Sequence, residues 1–251
     1  MDQRIGAQMY TVTSFCQTEK DFEESLSKLS KIGYQVVQLS GISWDIPATR
    51  IKELCDQYGM TVACTHMPMN FYEEKMDWVI DYHKTIGAKV AGLGWLGAEY
   101  RSDIDNVKQG IEKMNGFDRQ LREAGLRFGY HNHAFEFKKL DGKYILDYMI
   151  ELGTFDFILD TYWVAYSGIN PATLIESLGE RASMIHFKDL QVLENNTVTF
   201  TEIGQGNLDW DAIIKASQKA KFALVEEDKC PADPFDSLKI SYEYLTKKGF
   251  C

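Results

Sequence analysis

The chain has 251 residues, 45% of them hydrophobic and 25% charged, with a formal net charge of −10. This is enough chain for a large core without disulfide staples, and the acidic balance argues against a phosphate backbone as partner. The five cysteines (Cys16, Cys55, Cys64, Cys230 and Cys251) lack CxxC spacing, which argues against a thiolate cluster and suits a reducing compartment. No apolar run approaches ~18 residues and the first residues do not read as a signal peptide, so no membrane span and a cytoplasmic location are expected.

Along the chain, short apolar or β-branched runs alternate with longer amphipathic stretches. The first run is IGAQMY, from Ile5 to Tyr10, followed by a helix from about Asp21 to Ile32 that ends at Gly33. YQVVQLS ends near Ser40, and Pro47 suits the first turn of a helix that closes near Gly59. MTVACTH ends at His66 and precedes a helix through Met76, Val79 and Ile86. AKVAGLGW, from Ala88 to Trp95, precedes a long helix over about Asp103 to Ala124. LRFGYHNH ends near His133, with a helix from Ile145 to Glu151 behind it. FDFILD ends at Asp160, and the next helix starts near Pro171 and reaches Leu178. ASMIHFK carries His186 near its end, and the excursion VTFTEIGQGNLDW leads to a helix over Asp211 to Lys219. FALVEED ends near Asp228, and the last helix spans Pro234 to Lys247.

Strict alternation of strand and helix argues for a parallel sheet, and eight units argue for its closure into a (β/α)₈ TIM barrel, one domain over residues 1–251. The rival, an open doubly wound sheet that binds a dinucleotide, lacks its GxGxxG after the first strand.

In such a barrel the chemistry lies at the C-terminal ends of the strands. Of the five histidines, His66, His131, His133 and His186 fall there, and only His83 falls inside a predicted helix. Asp160 ends the sixth strand; Glu226, Glu227 and Asp228 end the eighth; Glu136 lies just past the fifth. Carboxylates at apolar strand ends are costly to bury unless something cationic meets them. Carboxylates with imidazole and no thiolate suit a divalent ion such as Mg²⁺, Mn²⁺, Co²⁺, Fe²⁺ or Zn²⁺. Such an ion polarises a carbonyl and eases removal of the proton beside it.

The strand-five YHNHAFEF, the strand-six LDTYW, the strand-seven IHFKD and the strand-eight VEED resemble the sugar phosphate isomerase/epimerase family. These are xylose isomerase-like barrels, and they include inosose dehydratases and endonuclease-IV-type barrels. The resemblance runs from AQMYTV to VEEDKCP and takes in the GQGNLDW turn. It implies a metal held by a Glu, an Asp, a His and a second Glu. Asp160, His186 and Glu226 match three of these; Glu136 is the nearest carboxylate for the fourth place, with His131 or His133 as the alternatives. Glu136, Glu226, His131, His133 and Lys188 are the implied proton-transfer and charge-stabilising groups, and Gln8, His66 and Trp163 the substrate contacts. The activity implied is isomerisation or epimerisation of a sugar, keto-sugar or cyclitol by proton abstraction next to a carbonyl. The histidine pair on strand five suggests a dehydratase or lyase as the alternative. A nuclease and a non-catalytic sugar-binding barrel are the remaining rivals. Family analogy adds a homodimer to the expected small-molecule partner.

Overall fold

In the computed structural model, which describes residues 1–251, eight short strands run parallel and close on themselves. They are β1 (Gly6–Gln8), β2 (Val36–Leu39), β3 (Thr61–Thr65), β4 (Val90–Leu93), β5 (Arg127–His131), β6 (Asp156–Asp160), β7 (Ala182–Phe187) and β8 (Phe222–Val225). Each pairs with its neighbours in sequence, and β8 returns to β1 through Gly6↔Leu224 and Ala7↔Val225. Closure leaves no unpaired edge.

Helices stand between the strands, and several start where the sequence supplies a cap. The Thr18 hydroxyl accepts from Asp21 N, and the Asp103 carboxylate accepts from Asn106 N at 2.9 Å. Asn170 caps the helix Pro171–Leu178, whose first residue is the proline that such a position tolerates. Two short helices, Met69–Glu74 and Thr161–Tyr166, were not expected. Six residues are too few to show a repeating apolar stripe. The fifth strand is also shorter than expected and stops at His131, because Asn132 and His133 lead into a 3₁₀ turn over Ala134–Phe137. The excursion after strand seven is a hairpin, Asp189–Val192 against Val198–Thr201, followed by the GQG turn.

The apolar interior has two compartments. A large one lies between helices and sheet; a small one of Val36, Ala63, Cys64, Val90, Ile158, Met184 and Leu224 fills the barrel axis. Ile158 occupies the centre, and Gly92 and Gly129 make room for it. A Cβ on Gly92 would lie 2.7 Å from Ile158 Cδ1, and one on Gly129 would lie 3.1 Å from Ile158 Cγ1. Side chains on a strand return to the same face every second residue. Two positions on from this plug come Gln38 after Val36, His66 after Cys64 and His131 after Gly129. Asp160 follows Ile158, His186 follows Met184, and Glu226 follows Leu224 in the same stride. The polar layer at the mouth is thus set by strand periodicity on a floor that packing fixes.

Candidate active site

Four of these side chains form one group. His131, Asp160, His186 and Glu226 are all buried, and one ligand atom from each lies within 4.8 Å of the others. His131 Nδ1 lies 3.1 Å from the Gly94 carbonyl, which can only accept, so the proton belongs there and Nε2 is left bare. That bare nitrogen faces Asp160 Oδ2 at 3.4 Å. Asp160 Oδ1 accepts from Trp163 N at 3.0 Å as the cap of the short helix, while its own N–H donates to Asn132 Oδ1 at 2.9 Å. His186 Nδ1 lies 2.9 Å from Glu226 Oε2 and 3.9 Å from Asp160 Oδ2. Its Nε2 lies 2.7 Å from Gln38 Oε1.

Lys188 enters from below the hairpin, 1% exposed. Its ammonium lies 2.7 Å from Asp228 Oδ1, 3.2 Å from Glu226 Oε2 and 3.4 Å from Asp160 Oδ2. Burial alone would raise the carboxyls of Asp160 and Glu226. Lys188 and the neighbouring histidines outweigh it, so Asp160 is held below and Glu226 well below the ordinary range. Burial works against the Lys188 ammonium too, yet Asp160, Glu226 and Asp228 keep it charged. Burial and the Glu226 charge lift Asp228 to about 6. Burial lowers His186 against the pull of Glu226; His131 is raised, because the Asp160 and Glu226 charges beside it outweigh its burial. Three carboxylates against one ammonium leave two negative charges, which a divalent cation would balance. The donor set of oxygen and imidazole, with the far nitrogens of both histidines already engaged, fits such an ion.

Above the group opens a cavity of about 540 Å³, lined among others by Gln8, Trp44, His66, Trp95, His133 and Asp228. Gln8 Nε2, His66 Nε2, Asn132 Nδ2, His133 Nδ1 and Trp163 Nε1 are buried polar atoms with no partner. Burial, with the neighbouring histidines, holds His66 well below its ordinary value and takes His133 down to about 3. Both imidazoles are therefore neutral at physiological pH.

Residues 26–247 match the family described as the xylose isomerase-like TIM barrel. The chain belongs to that family. Among curated relatives, an inosose dehydratase of Clostridium beijerinckii is 23% identical over 92% of this chain and 91% of its own length. Of solved structures, a sugar phosphate isomerase/epimerase from Parabacteroides distasonis superposes with a TM-score of 0.79 at 21% identity, over 97% of this chain and 94% of that one. A probable 3-DHS dehydratase of Bacillus anthracis involved in petrobactin synthesis gives a TM-score of 0.75 at 13% identity, over 97% and 98%. The inosose dehydratase and these barrels are enzymes.

Within this xylose isomerase-like barrel, the structure places Glu136 outside the four-residue group. The 3₁₀ turn folds it back into the wall, where one oxygen meets the Tyr130 hydroxyl and the other accepts from His133 N at 2.7 Å. Burial raises its carboxyl to about 7. Both oxygens are spent on holding the HNH segment, and His131 stands in the strand-five place. His133 is beside the group rather than in it, stacked on Phe135 and 5.5 Å from the Trp163 ring. His66 lies over the group, its ring 4.9 Å from that of His131. Gln8 uses its oxygen on Tyr10 N and leaves its NH₂ free. Trp163 packs beside the Lys188 ammonium, 5.3 Å from its ring centre.

Sequence reasoning passed over Gln38, Asn132 and Asp228's grip on Lys188. It also passed over Asp189, whose carboxylate accepts from the N–H groups of Leu190, Gly204, Gly206 and Leu208 and from Trp210 Nε1. The two-residue stride from the barrel plug would have pointed to Gln38.

Proposed function

We propose that this barrel is a divalent-metal-dependent enzyme that removes the proton beside the carbonyl of a keto-sugar or keto-cyclitol and expels a β-hydroxyl as water. His131, Asp160, His186 and Glu226 would hold the metal. When bound, such an ion supplies a Lewis acid for the carbonyl and its neighbouring hydroxyl. The observation that carries the reading is the buried group of two carboxylates and two imidazoles, held at the mouth of a cavity with unpartnered amide and imidazole donors.

Glu226 is the proton acceptor. Its Oε2 is committed to His186 and Lys188, while Oε1 carries no protein hydrogen bond and the residue lines the cavity. The Lys188 charge keeps it ionised and stabilises the negative oxygen that develops. As the C–H electrons form the new C=C bond, the β C–O bond breaks. The proton that Glu226 takes from carbon leaves with the hydroxide as water, while His133, a neutral imidazole lining the same cavity, orients the departing oxygen. Gln8 and His66 donate to substrate oxygens, and the Trp44 and Trp95 faces suit the C–H surfaces of a ring.

Elimination is preferred to epimerisation because the strand-five position holds an imidazole whose nitrogens are both engaged. One carboxylate base remains where an epimerase of this family uses two. The inosose dehydratase relative supports the same choice. Incubation of a panel of keto-sugars and 2-keto-cyclitols in D₂O with Mn²⁺, followed by NMR, tests the reading. Deuterium at the α-carbon with new enone or diketone signals, abolished by EDTA, is expected. Epimer without loss of water would favour the family's other reaction. No exchange on any compound, with no metal bound, would overturn the proposal.

A further inference from the structure

We infer that Gln38 is the positioning residue that decides which nitrogen of His186 faces the metal; the inference rests on the metal reading above. Gln38 sits on β2 and His186 on β7, so the 2.7 Å contact from Oε1 to Nε2 crosses the barrel interior. Both residues are 0% exposed, so no water competes for either. An amide oxygen only accepts, so the ring carries its proton on Nε2. A neutral ring then has no proton left for Nδ1, which stands 2.9 Å from Glu226 Oε2. Two lone pairs face each other across that gap, and a cation shared by both nitrogen and oxygen turns the conflict into two bonds. With the amide reversed, its NH₂ would donate to Nε2 and the proton would move to Nδ1, toward Glu226. No electron pair would then be left for a metal at Nδ1. The orientation of one uncharged side chain thus separates a metal-ready histidine from one closed to metal.

Gln38 pairs in register with Gln8 on β1, stands two residues beyond Val36 of the barrel plug, and its own Nε2 has no partner in the protein. His131 solves the same problem in mirror fashion: the Gly94 carbonyl, which cannot reverse, takes the Nδ1 proton and leaves Nε2 bare. Outer partners of this kind are worth roughly 10–100-fold in metal affinity.

The test uses the intact protein and Zn²⁺ alone. Zinc titration calorimetry on the wild type, Gln38→Glu and Gln38→Leu is paired with ¹⁵N NMR of the histidine rings in zinc-loaded wild type. The expected result is a proton on His186 Nε2 and none on Nδ1, with the opposite pattern for His131. Gln38→Glu, which can only accept, keeps zinc affinity within a few-fold; Gln38→Leu loses about 10–100-fold. A His186 proton on Nδ1 in the loaded protein, or full zinc affinity in Gln38→Leu, would overturn the inference and leave the metal reading standing. A wild type that binds no zinc would overturn the metal reading and this inference with it.

Discussion

The two ends of the barrel solve the same problem of buried polarity in opposite ways. At the N-terminal end, charges are matched and closed. Arg127 meets Asp156, Arg4 meets Asp2 and Thr61, and the Arg181 guanidinium donates to the carbonyls of Ile150, Gly153 and Phe155. Arg127 Nε and Ser183 Oγ are the exceptions there. At the C-terminal end, carboxylates crowd one ammonium, and buried amides and imidazoles point at nothing. The same strands carry both ends, so the difference is not one of fold. Unmet polarity is costly to keep, and its concentration at one end marks where a ligand completes the structure.

Four measurements break or sharpen that contrast. Glu226→Gln should cut turnover of a responsive keto-substrate by about 10²–10⁴ while the protein stays folded. An unchanged rate would remove Glu226 from the reaction. Lys188→Met should destabilise the metal-free protein by about 3–5 kcal/mol in urea, since it leaves Asp160 and Glu226 buried without their cation. Added Mn²⁺ should return much of that loss. A metal-free variant as stable as the wild type would show that the mouth needs no internal counter-charge.

His83 gives the next effect, as a buried histidine away from the mouth. Both of its nitrogens are satisfied, by the Val79 carbonyl and the Thr65 hydroxyl, and burial takes it down to about 4. It is neutral in the fold and takes up a proton more readily once unfolded. Its contribution is therefore complete above about pH 6.5 and falls away as pH drops toward 4, by about 3 kcal/mol. Urea denaturation across that range, compared with His83→Gln, should show this slope in the wild type and lose it in the variant. The smallest effect is expected at the closed end. Asp156→Ala should cost about 1–2 kcal/mol, because its partner Arg127 is partly exposed and solvent screens the pair. Turnover per folded molecule should not change. A loss of turnover there would break the division between the two ends.

The barrel was legible because each of its strands is an apolar run too short for a helix and each main helix carries an amphipathic stripe. The mouth was legible in part. Asp160, His186 and Glu226 end or directly follow apolar runs, where a charged or titratable residue stands out. Gln38 did not, because an uncharged amide inside YQVVQLS looks like part of the strand. Glu136 was expected at the metal because spacing along the chain counts residues and not the direction in which they turn. Three residues of 3₁₀ turn sent it into the wall. His131 was two steps past Gly129, in the stride that every inward residue shares, yet that stride is visible only once the plug residues are known.

The Asp189 carboxylate gathers five N–H donors from its own hairpin and the GQG turn, and a Cβ at Gly206 would lie 2.4 Å from its Oδ1. The stretch between, residues 191–203, is bracketed at both ends by that single side chain. Such a bracket fixes both ends of the hairpin, so its tip around Glu194–Thr197 tolerates change in length and sequence while Phe200 stays against the Lys188 ammonium.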